Sequence, residues 1–148
     1  MARRLEELGI PIIHRVHGDA RAEEGDCLWL DHDTLAVGQR FRTNAGGLRQ
    51  LGEVLHGAGV DWSPSPLPYF YGPEACLHLM SLISFVDHDL AVAYPSLLPV
   101  PFWRTLKERG IDIIEIPEAE FHTTGTNVLA LAPRVSLILE GNPVTERA

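Results

Sequence analysis

A phrase ending in glycine returns three times along the 148 residues, and it limits the possible fold more than any other feature of the chain. Leu5-Glu6-Glu7-Leu8-Gly9-Ile10 recurs as Leu55-His56-Gly57-Ala58-Gly59-Val60 and as Leu106-Lys107-Glu108-Arg109-Gly110-Ile111, setting the glycines 50 and 51 residues apart. Self-similarity at such a period marks a chain built from one supersecondary unit that cannot bury its own apolar face and stacks on its neighbours. Each glycine stands where a helical pattern ends and a β-branched residue is expected to open a strand. A left-handed backbone is needed there, and glycine supplies it without a Cβ clash.

A second phrase keeps step with the first. Cys27 to Leu30, Asp31-His32-Asp33 and Leu35 to Gly38 are matched by Leu82 to Val86, Asp87-His88-Asp89 and Leu90 to Ala93. Both predict two apolar strands joined by a polar turn, a hairpin. Asn127 to Leu131, Ala132-Pro133-Arg134 and Val135 to Leu139 form a weaker third copy with proline in the turn. After the first hairpin Thr43-Asn44 offers a helix N-cap, followed by Leu48, Leu51, Val54 and Leu55 at helical spacing. After the second, Phe102, Trp103 and Leu106 share a helical face. The unit is strand, strand, helix, strand, which makes the fold class α/β.

Met1 to Leu8 is the tail of a helix, and Asn142-Pro143 is a helix start close to Ala148. The expectation is one partial domain over residues 1–148, cut inside a repeat at both ends. A complete domain with frayed terminal helices is the alternative. Composition is that of a globular protein, with 45% hydrophobic and 22% charged residues. A formal charge of −8 argues against nucleic acid and against an anionic membrane surface, and suits a cationic small molecule. No apolar run approaches the roughly 20 residues that span a bilayer, and the acidic start is unlike a signal peptide, so the cytoplasm is the expected compartment. Cys27 and Cys76 lie in apolar runs and are expected as buried free thiols rather than a disulfide or a zinc site. No cofactor motif and no metal-ligand spacing is present, and His32 and His88 are expected as solvated turn residues.

Glu23-Glu24-Gly25-Asp26-Cys27-Leu28-Trp29-Leu30, then Val37-Gly38 and Arg42-Thr43-Asn44-Ala45-Gly46-Gly47, resemble the acid-x-Gly-Asp strand, hairpin and Arg-Thr-Asn helix start of the amidinotransferase superfamily, which includes arginine deiminases and dimethylarginine dimethylaminohydrolases. Leu77 to Ser81 through Asp89 to Val92 resembles that family's catalytic-histidine strand, and Asn127 to Leu131 through Gly141-Asn142-Pro143 the segment leading toward its nucleophile. The three blocks occur in order and cover nearly the whole chain. The resemblance implies a pentein fold, here an incomplete α/β-propeller of about three ββαβ-type modules. It also implies cysteine attack on a guanidinium carbon, with histidine moving protons and acids holding the cation.

Carried over residue by residue, the resemblance makes His78 the general acid and base and Glu23 the acid that orients it and supports its charge. Taken alone, a histidine in the apolar run Cys76 to Phe85, expected as a strand, is more often a core residue. Asp26 is expected to bind substrate or to hold the framework. Arg42 is expected to bind a substrate carboxylate through its planar fork, with Arg40 as competitor. The bland alternative is a solvated acidic turn at residues 23–26 and a surface arginine at 42. Glu24 departs from the small residue usual in the motif. Met80 stands where arginine deiminases carry an aspartate, and a thioether accepts hydrogen bonds only weakly, which favours a dimethylarginine-hydrolase-like branch. Cys76 as nucleophile is disfavoured, because i and i+2 side chains on a strand stand about two rises of ~3.3 Å apart. The resemblance places the nucleophile beyond Ala148 and the partner as a small guanidino compound. An inactive pentein-fold binding or structural module is the alternative, and a translation-factor-like relative is disfavoured by the absence of a basic stripe.

Overall fold

The computed structural model describes residues 2–69, 72 and 77–148. Cys76 lies outside the described residues. The glycine phrase appears as three helix ends, with φ of 76° at Gly9, 74° at Gly59 and 71° at Gly110, all left-handed. Helix α1 (Ala2–Glu7) precedes Gly9. A first module holds β1 (Cys27–Trp29), β2 (Thr34–Gln39), α2 (Ala45–Gly57) and β3 (Asp61–Pro66). A second repeats it with β4 (Ile83–Asp87), β5 (Leu90–Ala93), α3 (Val100–Glu108) and β6 (Asp112–Glu115). Helix α4 (Glu118–His122) and the hairpin β7 (Leu129–Ala132) and β8 (Val135–Leu137) follow.

In both modules the first two strands pair antiparallel and the third returns parallel to the second across the helix, giving sheet orders β1-β2-β3 and β4-β5-β6. A parallel return needs such a crossover, which is why a helix sits between the second and third strands. One core cluster joins the modules, with Leu28, Leu30 and Ala36 packed with Leu79, Leu82, Ile83, Ala91 and Ala93 and with Phe102 and Leu106 of α3, while Leu35 and Val37 pack separately with Leu48 and Leu55 of α2. Neither sheet closes on itself among the described residues, and β7 and β8 pair only with each other and are exposed along their length.

Three sequence expectations are corrected. Residues 10–17 form no strand after Gly9, since among the described residues no second strand lies beside them as β2 and β5 lie beside β3 and β6. The strand expected over Cys76 to Phe85 begins only at Ile83, because Leu79–Ser81 is a 3-10 turn held by Leu82 N–H to Leu79 O at 2.9 Å. Asn142 does not cap an α-helix: the terminal turn is a 3-10 segment, Thr145–Arg147, preceded by Val144.

Candidate active site

Glu23 and His78 occupy the same place in successive modules. Each is the residue before a 3-10 turn, Glu24–Asp26 and Leu79–Ser81, that feeds the first strand of its sheet. In each case the residue ahead of the turn stands outside the strand that follows, three residues or more before it begins. The repeat thereby sets an acid and a base side by side.

The segment carrying Glu23 is pinned to the start of α2. Asn44 caps that helix by accepting from Gly47 N–H at 2.9 Å, accepts from Arg21 N–H at 3.1 Å, and donates to Asp19 O at 2.8 Å. Gly47 is required for this approach, because a Cβ there would fall 1.8 Å from the Arg21 carbonyl oxygen. Arg40 N–H donates to Thr43 O at 2.8 Å and closes a turn with Arg42 in it. Arg40 points elsewhere, donating to Gly72 O at 3.1 Å.

Arg42, Glu23 and His78 meet. Arg42 Nη1 lies 2.9 Å from His78 Nε2 and 3.3 Å from Glu23 Oε2, and His78 Nε2 is 3.4 Å from Glu23 Oε2. The His78 side chain is 15% exposed, whereas those of Glu23 and Arg42 are each 46% exposed, so the ring is sheltered while both charged partners reach solvent. Asp26 approaches from the opposite side, its Oδ2 3.4 Å from His78 Nδ1. It is fully buried and accepts from the Thr43 hydroxyl at 2.6 Å and from Leu79 N–H at 3.0 Å. Both its oxygens face protein, so of the two roles expected from sequence the framework role has accessible partners and the substrate contact has no open atom.

Sequence reasoning missed two members of this arrangement. Thr43 was a helix-cap candidate, but Asn44 is the cap, and the Thr43 oxygen instead accepts Glu23 N–H at 3.1 Å while bonding Asp26. Gly25 supplies the surface on which the His78 ring lies: a Cβ there would stand 2.8 Å from the ring's Cγ. The only signal for either was its place inside a quoted phrase. Beside the ring opens a cavity of about 500 Å³, lined among others by Cys27, Met80, Ser81 and Asn127. Cys27 is half-buried, and burial, then the charges of Asp26 and Glu24, pushes its thiol pKa up, the reverse of what a nucleophilic thiolate needs.

The turns Asp31-His32-Asp33 and Asp87-His88-Asp89 bring ligand atoms within 4.8 Å of one another, as a metal site would. Arg109 pairs with Asp31, and Arg134 binds Asp87 and Asp89, each at 3.0 Å. A guanidinium already neutralising the carboxylates leaves little for a cation, and these turns carry no metal argument. No described helix is long and apolar enough to cross a membrane.

No family model matches the chain. It is 31% identical over 124 residues to the uncharacterized protein YkgA of Bacillus subtilis, covering 84% of this chain and 40% of that protein. It is 29% identical over 108 residues to N(G),N(G)-dimethylarginine dimethylaminohydrolase of Pseudomonas aeruginosa, covering 73% and 38%. The chain thus spans about two fifths of the length of these curated relatives. Among solved structures, a cysteine-to-serine mutant of the Pseudomonas aeruginosa dimethylarginine dimethylaminohydrolase complexed with citrulline superimposes with a TM-score of 0.74 at 25% identity, over 99% of this chain and 53% of that one. The N-terminal domain of ArgZ, a cyanobacterial arginine dihydrolase, superimposes with a TM-score of 0.78 at 18% identity, over 99% and 52%, a likeness of fold alone.

Proposed function

From the premise that the chain resembles, in sequence and in fold, the guanidino-modifying enzymes of the amidinotransferase superfamily, we propose that it carries the histidine half of such an enzyme's active site. The parent protein would hydrolyse or transfer a group of arginine, a methylarginine or a related compound. The observation that carries this reading is the meeting of Glu23, Arg42 and His78 from three separate segments, with His78 also lining a cavity of about 500 Å³.

The roles follow from the chemistry of the groups. His78 Nε2 faces the open side and gives a proton to the departing amine, then takes one from the attacking water. Glu23 balances the positive charge of substrate and ring. Arg42 leaves its contact with His78 when a substrate carboxylate offers a paired, charge-assisted partner. Covalent attack needs an activated thiol, and Cys27 is not one. On the family resemblance the nucleophile is assigned outside these 148 residues, in a ring of modules of which this chain would supply two with their helices and the hairpin of a third. An inactive binding module of the same fold is the competing account.

The test is turnover by the parent protein on arginine and methylated arginines, read as citrulline release. His78→Ala should lower the rate by a factor of about 10⁴ or more, the usual loss when one member of a cooperating catalytic set is removed. A parent protein that binds these compounds without turnover, or that is indifferent to His78→Ala, overturns the proposal.

A further inference from the structure

We infer that Thr126, in the loop ahead of β7, is a positioning residue for His78, so that the third unit holds the turn on which the candidate acid and base stands. The inference rests on the reading of His78 as a proton-transfer residue. A functional side chain is placed only as firmly as the groups that support it. The main chain of His78 is tied to Ser81 on both sides: its N–H donates to the Ser81 hydroxyl at 3.1 Å, and its carbonyl accepts Ser81 N–H at 3.0 Å. Ser81 is held in turn from the third unit. Its carbonyl accepts the Thr126 hydroxyl at 2.7 Å, across 45 residues of sequence.

Thr126 is gripped at both ends. Its own carbonyl accepts the Ser84 hydroxyl at 2.6 Å, and the Ser84 oxygen accepts Val128 N–H at 3.4 Å. Ser81 closes the 3-10 turn and Ser84 lies in β4, so these bonds bracket the passage from the histidine's turn into its sheet. Thr126 and Ser84 are both buried, where an acceptor that loses its donor finds no water to replace it. The loop that delivers Thr126 is itself tightly determined. Thr124 is a β-branched residue at φ 62°, a left-handed backbone that such side chains rarely adopt. Strain of this kind persists where the surroundings fix it, and here Thr124 N–H donates to Phe121 O at 3.1 Å while Asn127 N–H donates to Thr124 O at 2.9 Å. Asn127, the next residue, lines the same cavity as His78. The Thr126 hydroxyl is directed at a carbonyl and not at the cavity, so Thr126 acts through Ser81 and touches no reacting atom.

The experiment follows the histidine in the full 148-residue chain, by amide exchange at His78 and Ser81 and by the nitrogen-15 resonances of the His78 ring, and needs no substrate. Thr126→Val keeps the shape of the side chain and removes its donor. Exchange at both amides should quicken by about 5- to 10-fold relative to amides of β2, the factor that one lost hydrogen bond produces, and the ring resonances should move. Thr126→Ser, which keeps the hydroxyl, should retain the original exchange and resonances. Arg134→Ala, which frees the β7–β8 turn but leaves Thr126 bonded, should change neither. His78 signals that ignore Thr126→Val, that shift equally in Thr126→Ser, or that follow Arg134→Ala each overturn the inference. If Thr126→Val does not fold, Ser84→Ala, which releases the other end of Thr126, decides it: faster exchange at His78 supports the inference and unchanged exchange overturns it. In the parent protein Thr126→Val should lower kcat by about 10²-fold, the scale of a 1 Å misplacement, with KM little changed. Turnover indifferent to Thr126→Val overturns the inference. A parent protein without turnover sinks the proposed activity instead, and the coupling of Thr126 to His78 is then read from the exchange data alone.

Discussion

At the scale of single residues, the site depends on atoms that are missing as much as on those present. Gly25 has no side chain, and the His78 ring lies in the vacated space, 2.8 Å from where a Cβ would be. Gly25→Ala must displace the ring, because the tight contact is to its Cγ and not to a flexible tip. The expected result in the parent protein is a loss of about 10²-fold in turnover with the fold retained, the scale of a 1 Å misplacement of a reacting group. Unchanged turnover in Gly25→Ala would mean the ring position is not what the reaction needs. The residues of this site were named from sequence because a family phrase carried them, but Asp26's role was not decidable there. Its two fixed partners, Thr43 and Leu79, lie 17 and 53 residues away, and nothing local in Glu-Glu-Gly-Asp distinguishes a buried anchor from a solvated turn.

At the scale of elements, what depends on a few neighbouring residues was legible. The glycine stops, the three hairpins and the Asn44 cap are short-range consequences of backbone sterics and donor satisfaction. The 3-10 turn before β4 was not legible, since the largely apolar run from Leu77 through Phe85 holds no glycine or proline to mark the break. The end of α2 gives a paired prediction. Gly57 is its last helical residue and Gly59 the left-handed stop, and a Cβ at either would meet nothing within 4 Å, so only backbone preference acts. Gly57→Ala should stabilise by roughly 0.4–1 kcal/mol. Gly59→Ala should destabilise by about 1 kcal/mol or more. Thermal midpoints moving in the same direction for both would remove the left-handed stop as the explanation of the repeat. The terminal turn offers another. Glu120 is buried beneath it and accepts from Val144 N–H, Thr145 N–H and the Thr145 hydroxyl at 2.7, 3.0 and 2.8 Å. Burial alone would raise its pKa, but these donors and the Arg147 charge outweigh it and the net shift is downward. A depressed carboxylate stabilises the fold above its unfolded pKa and ceases to as pH falls through the folded one. Glu120→Gln should therefore speed amide exchange at Thr145 at neutral pH and flatten its dependence below about pH 4, near the ordinary carboxylate range.

Across the whole molecule, the junctions between modules repeat as the modules do: an arginine from the following unit binds the acidic turn of the one before. Arg109, at the end of α3, pairs with Asp31 in the β1–β2 turn and donates to Thr34 at 3.2 Å. Arg134, in the β7–β8 turn, binds Asp87 and Asp89, and its backbone N–H donates to Val86 O at 3.0 Å. No sequence argument linked these residues, because the contacts lie 78 and 47 residues apart and emerge only when modules stack. The two junctions differ in what else supports them. The first is backed by the shared core of the two modules, whereas β7 and β8 are exposed along their length, with Leu129, Leu131, Val135 and Leu137 each at least 55% in solvent. The hairpin should therefore be the part whose attachment depends most on charge. Asp87 has a lowered pKa, chiefly from hydrogen bonds to His88 and with help from Arg134, so its contribution is complete above its unfolded value and fades as pH falls through the folded one. Exposed ion pairs are also screened by salt. We expect amide protection at Ala130 and Ala132 to fall below about pH 4, the ordinary carboxylate range, before protection in β2 or β5 changes, and to fall partly in molar salt at neutral pH. Arg134→Ala should reproduce the loss at neutral pH without moving the exchange of the two three-stranded sheets. Hairpin amides that keep their protection at low pH, or that ignore Arg134→Ala, would show the third unit to be held by something other than the charges of its neighbour.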